Sequence, residues 1–192
     1  MGLADLIRSD LDRFAQTFFL RGQSHSGRKI LIESLIFKAG FQAVLLYRLS
    51  NWFFKKGCIY TAWAVARLNV FLTGAEIEFN AEIGPGFFIA HPVGIVIGRG
   101  SVVGMRATIF QGACLTVRSW RPEEIRSFPR LGNDCVLFAH SMVMGGVSLG
   151  DECVIAAHSV VGEDMPAGSL AVGSPARIVP EKGREMVRSW RA

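Results

Sequence analysis

The sequence has little that would send it to a membrane, an oxidising compartment or a nucleic acid. Its four cysteines, Cys58, Cys114, Cys135 and Cys153, include no Cys-x-x-Cys pair. Residues 1–21 interleave Asp5, Arg8, Asp10, Asp12 and Arg13 with apolar positions, where a secretory leader needs an unbroken apolar run. Free thiols in a reducing cytoplasm are therefore expected. No apolar stretch reaches the ~18–20 residues that span a bilayer. The most apolar one, Cys58 to Leu72, is broken by Arg67 and Asn69 and reads as a buried helix, with a helix lying on a membrane surface as the alternative. No His/Cys/Asp cluster has metal-ligand spacing, so no catalytic metal is expected. The surplus of +5 charges comes without zinc-finger, RNP or helix-turn-helix signatures. Binding of a small polyanion accounts for that charge, and nucleic acid is not expected.

Hydrophobic residues make up 50% of the chain and charged ones only 19%, which excludes a disordered chain. Glycine is plentiful at 21 residues and recurs most regularly in the second half, as in a fold with many tight turns. Residues 1–73 carry helical spacing: Ile32, Leu35, Ile36 and Ala39, then Leu45, Leu46, Leu49, Trp52 and Phe53. Gly40 and Gly57 bound a helix over Phe41 to Lys56 and a second over Cys58 to Leu72, while Gln23 to Arg28 reads as a loop. This region is expected to be a helical cap or oligomerisation element. From residue 74 to 180 the period becomes six. Leu131, Leu137, Val143, Leu149, Ile155 and Val161 are evenly spaced, as are Ile77, Ile83 and Ile89, and Ile97, Val103, Ile109 and Leu115. Each six-residue unit gives a short strand and a turn, and three units close a triangular coil whose aliphatic residues stack inward about 4.8 Å apart. Small residues four positions later, Ala81, Ala107, Ala113, Cys135, Ser141, Val147, Cys153 and Ser159, also face inward. The fold class is mainly β, a parallel β-helix of hexapeptide repeats behind an α-helical region, with residues 181–192 as a tail.

Two interruptions of the period point to function. Ile89 to Ile97 spans eight residues, and the extra pair falls in Ala90-His91-Pro92-Val93-Gly94, so His91 is expected on an exposed corner. Leu115 to Leu131 spans sixteen, which extrudes a loop over 116–130.

With these features the chain resembles the serine acetyltransferases among the hexapeptide-repeat acyltransferases. The likeness runs through Gly40-Phe41-Gln42-Ala43, Tyr47-Arg48-Leu49, Ala75-Glu76-Ile77, Ile83-Gly84-Pro85-Gly86, His91, Gly94-Ile95-Val96-Ile97-Gly98 and Gly173-Ser174-Pro175-Ala176-Arg177. The resemblance implies a left-handed β-helix and acetyl-CoA as donor. It also implies a homotrimer that can pair into a hexamer. His91 is then the general base and Glu76, fifteen residues earlier, its orienting carboxylate. Ala139, Ala156, Ala157, Gly173 and Arg177 match positions that line the family's CoA groove. His140 and His158, in equivalent turns of successive coils, read as surface positions, with a contact to CoA or acceptor as the alternative for His140.

The departures from the family concern the acceptor. Serine acetyltransferases have Asp before the catalytic His, where this chain has Ala90. They have Arg-His before the Pro of the extruded loop, where this chain has Ser127-Phe128-Pro129. Loss of those charges favours a sugar hydroxyl of a polysaccharide or its precursor, as in the exopolysaccharide and capsule acetyltransferases, with Ala90, Arg126, Ser127 and Phe128 around the acceptor. Serine is the alternative, with Arg126 or Arg130 replacing the missing arginine, and a non-catalytic scaffold is the second. A further expectation is peripheral membrane contact through Phe53-Phe54-Lys55-Lys56 and the apolar helix after it.

Overall fold

A computed structural model describes residues 1–18, 27–119, 121 and 127–191. Helices α1 (Leu3–Phe18), α2 (Gly27–Phe37), α3 (Ala39–Lys55) and α4 (Ile59–Thr73) precede the strands, and α5 (Lys182–Arg191) follows them. Gly27 and Arg28 are helical rather than in the expected loop, the rest of which lies outside the described residues. Gly74, at φ 75°, ends α4 in the left-handed conformation and donates its N–H to the Val70 carbonyl, as a glycine C-cap does.

Behind Gly74 the chain winds into a three-faced parallel β-helix. The first face stacks β1 (Glu76–Ile77), β4 (Val96–Ile97), β7 (Cys114–Thr116), β10 (Met142–Met144) and β13 (Val160–Val161). The second stacks β2 (Glu82–Ile83), β5 (Val102–Val103), β8 (Arg130–Leu131) and β11 (Ser148–Leu149). The third stacks β3 (Phe88–Ile89), β6 (Thr108–Ile109), β9 (Val136–Leu137), β12 (Val154–Ile155) and β14 (Leu170–Val172), and ends in the antiparallel β15 (Arg177–Val179). Registers match residue for residue: Ile77 pairs with Ile97, Ile97 with Leu115, Leu115 with Val143 and Val143 with Val161. That register is why the six-residue period is legible, because a slip would turn the inward aliphatics to solvent. The small inward residues named above are all buried.

The helices close the N-terminal end of the β-helix. The first coil leaves backbone groups without a coil beneath, and α3 supplies partners for them. Tyr47 Oη donates to the Ala81 carbonyl at 2.8 Å, and Asn51 Nδ2 to the Phe79 carbonyl at 2.8 Å. Arg48 donates to the Ile83 and Gly84 carbonyls, both at 2.6 Å. Asp10 of α1 takes Arg48 Nε at 2.8 Å and the Phe87 N–H at 2.8 Å. Burial pushes the Tyr47 phenol up to about 12.

Two expectations need correction. The apolar run in α4 is not a buried helix: Ala62, Asn69 and Thr73 are its buried residues, while Tyr60 is 89% and Phe71 85% exposed. Its apolar character serves a surface that a single chain leaves open. Phe53 and Phe54 are half-buried rather than offered to a membrane, with the Phe54 ring 5.1 Å from that of Phe79. No helix of the described residues is long and apolar enough to cross a membrane.

Candidate active site

His91 lies on the corner between the third and first faces, in the turn joining β3 to β4. The eight-residue interval needs somewhere to put two extra residues, and this turn takes them outward. Pro92 is buried beneath it while His91 and Val93 are exposed. Hydrogen bonds fix the turn on both sides. Ala90 N donates to the Ile109 carbonyl at 3.1 Å, Gly94 N to the Gly74 carbonyl at 3.0 Å, and Gly112 N to the Val93 carbonyl at 3.0 Å. The imidazole thus stands in solvent on a backbone that its neighbours immobilise, as a general base requires.

Glu76 begins the first face one turn of chain away, two residues after the Gly74 carbonyl that anchors the His91 turn. Its side chain is exposed and lines a shallow cleft under α4 with Trp63, Arg67 and Glu78. The Arg67 guanidinium sits over the Trp63 ring, 5.3 Å from its centroid. Among the described residues no hydrogen bond or ion pair joins Glu76 to His91. Such contacts often form only with substrate in place.

The expected cofactor residues gather on the corner that carries His91. Ala139 lies in the β9–β10 turn, Ala156 and Ala157 in the β12–β13 turn, and Gly173 in the turn after β14, all between the third and first faces. Arg177 is exposed at the start of β15, directly beyond that edge. The turns after β9, β12 and β14 therefore stack above His91 along one open edge, with the turn after β6 between.

The expected acceptor residues are divided. Ala90 adjoins His91, but Ser127 and Phe128 return the extruded loop to the corner between the first and second faces. There Phe128 lies on Gly98 so closely that a Cβ on that glycine would be 2.5 Å from its Cε1, and Ser127 lies against Gly146. Phe128 is used to seat the loop, and one chain does not bring it to its own His91. Arg126 lies outside the described residues.

Comparison with known proteins decides the family. Residues 128–163 match the family model of the bacterial transferase hexapeptide (six repeats). The serine acetyltransferase of Helicobacter pylori is 38% identical over 147 residues, covering 77% of this chain and 85% of the relative. The chain belongs to the serine acetyltransferase family. It is an acyltransferase with the left-handed β-helix of that family. Soybean serine acetyltransferase complexed with serine matches its fold with a TM-score of 0.80 and 25% identity, covering 92% of this chain and 69% of that one. The Brucella abortus enzyme in complex with coenzyme A matches with a TM-score of 0.81 and 24% identity, over 93% of this chain and 68% of that one.

This overturns the expectation of a polysaccharide acetyltransferase. That expectation rested on the charges missing at Ala90, Ser127 and Phe128, and two of those residues sit on a corner that does not face His91 in the same chain. The likeness to serine acetyltransferases extends through the helical cap, the corner turns and the closing Gly-x-Pro-Ala-Arg element, far beyond those three positions.

Proposed function

We propose that this protein transfers the acetyl group of acetyl-CoA to the hydroxyl of L-serine. The observation that carries the reading is the 38% identity to a serine acetyltransferase across 85% of that relative. In this reading His91 takes the proton from the serine hydroxyl as its oxygen attacks the thioester carbonyl carbon. The resulting tetrahedral intermediate collapses with cleavage of the C–S bond, and the imidazolium returns the proton to the departing thiolate. O-acetylserine and free CoA leave. Glu76 turns toward the other imidazole nitrogen when substrates fill the corner, holding the tautomer and balancing the imidazolium charge.

The working form is a trimer able to pair through its helical cap. The open apolar surface of α4 and the placement of Ser127 and Phe128 away from their own His91 both support an assembly in which chains share sites. The reaction belongs in the cytoplasm, where thiols stay reduced.

The test is release of free thiol from acetyl-CoA by purified protein with and without L-serine. Serine-dependent release is expected, reduced roughly 10²- to 10⁴-fold by His91→Ala. Release that ignores serine, or a His91→Ala variant with wild-type rate, would end the reading.

A further inference from the structure

His140 and His158 stand in the same turn position of successive coils, on the corner that carries His91. Both backbones are left-handed, with φ 58° at each, and both side chains are exposed. Their rings stack with centroids 5.2 Å apart and planes 13° from parallel. The His140 ring leans toward the N-terminal end, over Gly112, where an added Cβ would be 2.3 Å from its Nδ1. Between His91 and this pair Gly94 and Gly112 pack on each other at left-handed φ, 75° and 68°, with Val93 and Gln111 beside them and the His140 ring covering Gly112.

Parallel ring planes decide what such a pair can hold. A metal ion needs nitrogen lone pairs that converge on a point, and lone pairs lying in two parallel planes do not converge. Two N–H edges side by side instead suit an extended anion with several acceptor oxygens. The charge of the edge agrees. The corner turns 90–95, 110–113, 138–141, 156–159 and 173–176 contain no Asp or Glu, whereas the next corner, between the second and third faces, carries Asp134, Asp151 and Glu152. Arg177 follows the last of these turns.

The spacing agrees as well. Coils lie about 4.8 Å apart, so the backbones of His140 and His158 are roughly 10 Å and 14 Å along the axis from the His91 turn, and the His140 ring reaches back from there toward Gly112. The pantetheine arm of acetyl-CoA, from sulfur to the first phosphate oxygen, has a backbone about as long as four extended residues, or roughly 14 Å. With the thioester at His91 and the arm passing Gly94 along this edge, an arm of that length or less brings the phosphates to the two imidazoles.

Building on the proposed function, we propose that His140 and His158 form one ledge that binds the phosphate-bearing end of acetyl-CoA. The test uses His140→Gly, His158→Gly and the double variant, because glycine accepts the left-handed backbone and leaves the coil unstrained. CoA binding is measured by calorimetry, and turnover is compared between acetyl-CoA and acetyl-pantetheine, which has the same thioester but no phosphate. The double variant should weaken CoA binding and raise KM for acetyl-CoA roughly ten-fold or more, with kcat and the acetyl-pantetheine kinetics unchanged. Unchanged CoA affinity, or equal losses with both donors, overturns the ledge. Should the wild type bind CoA but ignore serine, the acceptor reading fails while the ledge is still judged by the calorimetry. A wild type that does not bind CoA removes both.

Discussion

The Asp10–Arg48 pair ties the helical cap to the β-helix, and removing Arg48 should show what that tie contributes. Both side chains are almost wholly buried, 1% and 3% exposed. Arg48→Met would leave the Asp10 carboxylate with the Phe87 N–H and no cation, and would strip the Ile83 and Gly84 carbonyls of their Arg48 donors. Breaking a buried pair on one side costs about 3–5 kcal/mol, roughly a fifth or more of the ~5–15 kcal/mol stability of an ordinary domain. Urea unfolding at neutral pH measures this directly. The pH dependence gives a second check. Burial raises the Asp10 pKa above its ordinary value, while Arg48 and the Phe87 N–H pull it down. Without Arg48 it rises further. A carboxyl whose folded pKa exceeds its unfolded one binds more protons when folded, so stability falls as pH climbs between the two values. The deficit of Arg48→Met relative to wild type should therefore be smaller at about pH 5 than at about pH 7.5. Asp10→Leu combined with Arg48→Met should recover the cost of the bare charge but not that of the orphaned backbone groups. A single variant within about 1 kcal/mol of wild type, or a deficit that grows on acidification, would refute the account.

Gly40→Ala probes the link between α3 and the turn that carries His91: its Cβ would fall 1.9 Å from the Ile89 carbonyl oxygen, two residues before His91. Backbone must yield there, so a loss of about 1–3 kcal/mol in thermal or urea unfolding is expected, with kcat falling roughly 10²-fold if His91 shifts by about 1 Å. Leu137→Ala opens a cavity between Ile109 and Ile155, its partners in the adjacent coils, and should cost about 2–5 kcal/mol in urea unfolding with His91 kinetics unchanged.

Much of the fold was legible because stacking in register forces one residue class into one slot on every turn. The six-residue aliphatic series, the small inward residues and the two interruptions all follow from that single constraint. The α3 and α4 helices lie within a few residues of where their apolar spacing and bounding glycines put them. That the helical region caps the β-helix was legible, but the contacts that join the two were not. Tyr47 and Arg48 belong to the family likeness, but nothing local says that they serve carbonyls 34 to 36 residues away, or that Asp10 reaches Phe87 across 77. The apolar run of α4 misled for a related reason: sequence reports that a face avoids water, not whether the same chain covers it.

The candidate site shows where a residue-by-residue reading fails. Position along the chain placed His91 on an exposed corner, while the expected cofactor residues came from the family likeness, and most of them lie in turns of the same corner. The acceptor could not be read that way, because the extruded loop leaves from the first face and returns to the corner between the first and second, one face away from His91. Ser127 and Phe128 were weighed against a histidine that they do not face in their own chain. The charges missing there constrain a neighbouring chain's site or none, and so they could not exclude serine. The whole-chain likeness integrates over the cap, the coils and the closing turn, and it is a stronger guide to the acceptor than Ala90 and two substitutions where the loop returns.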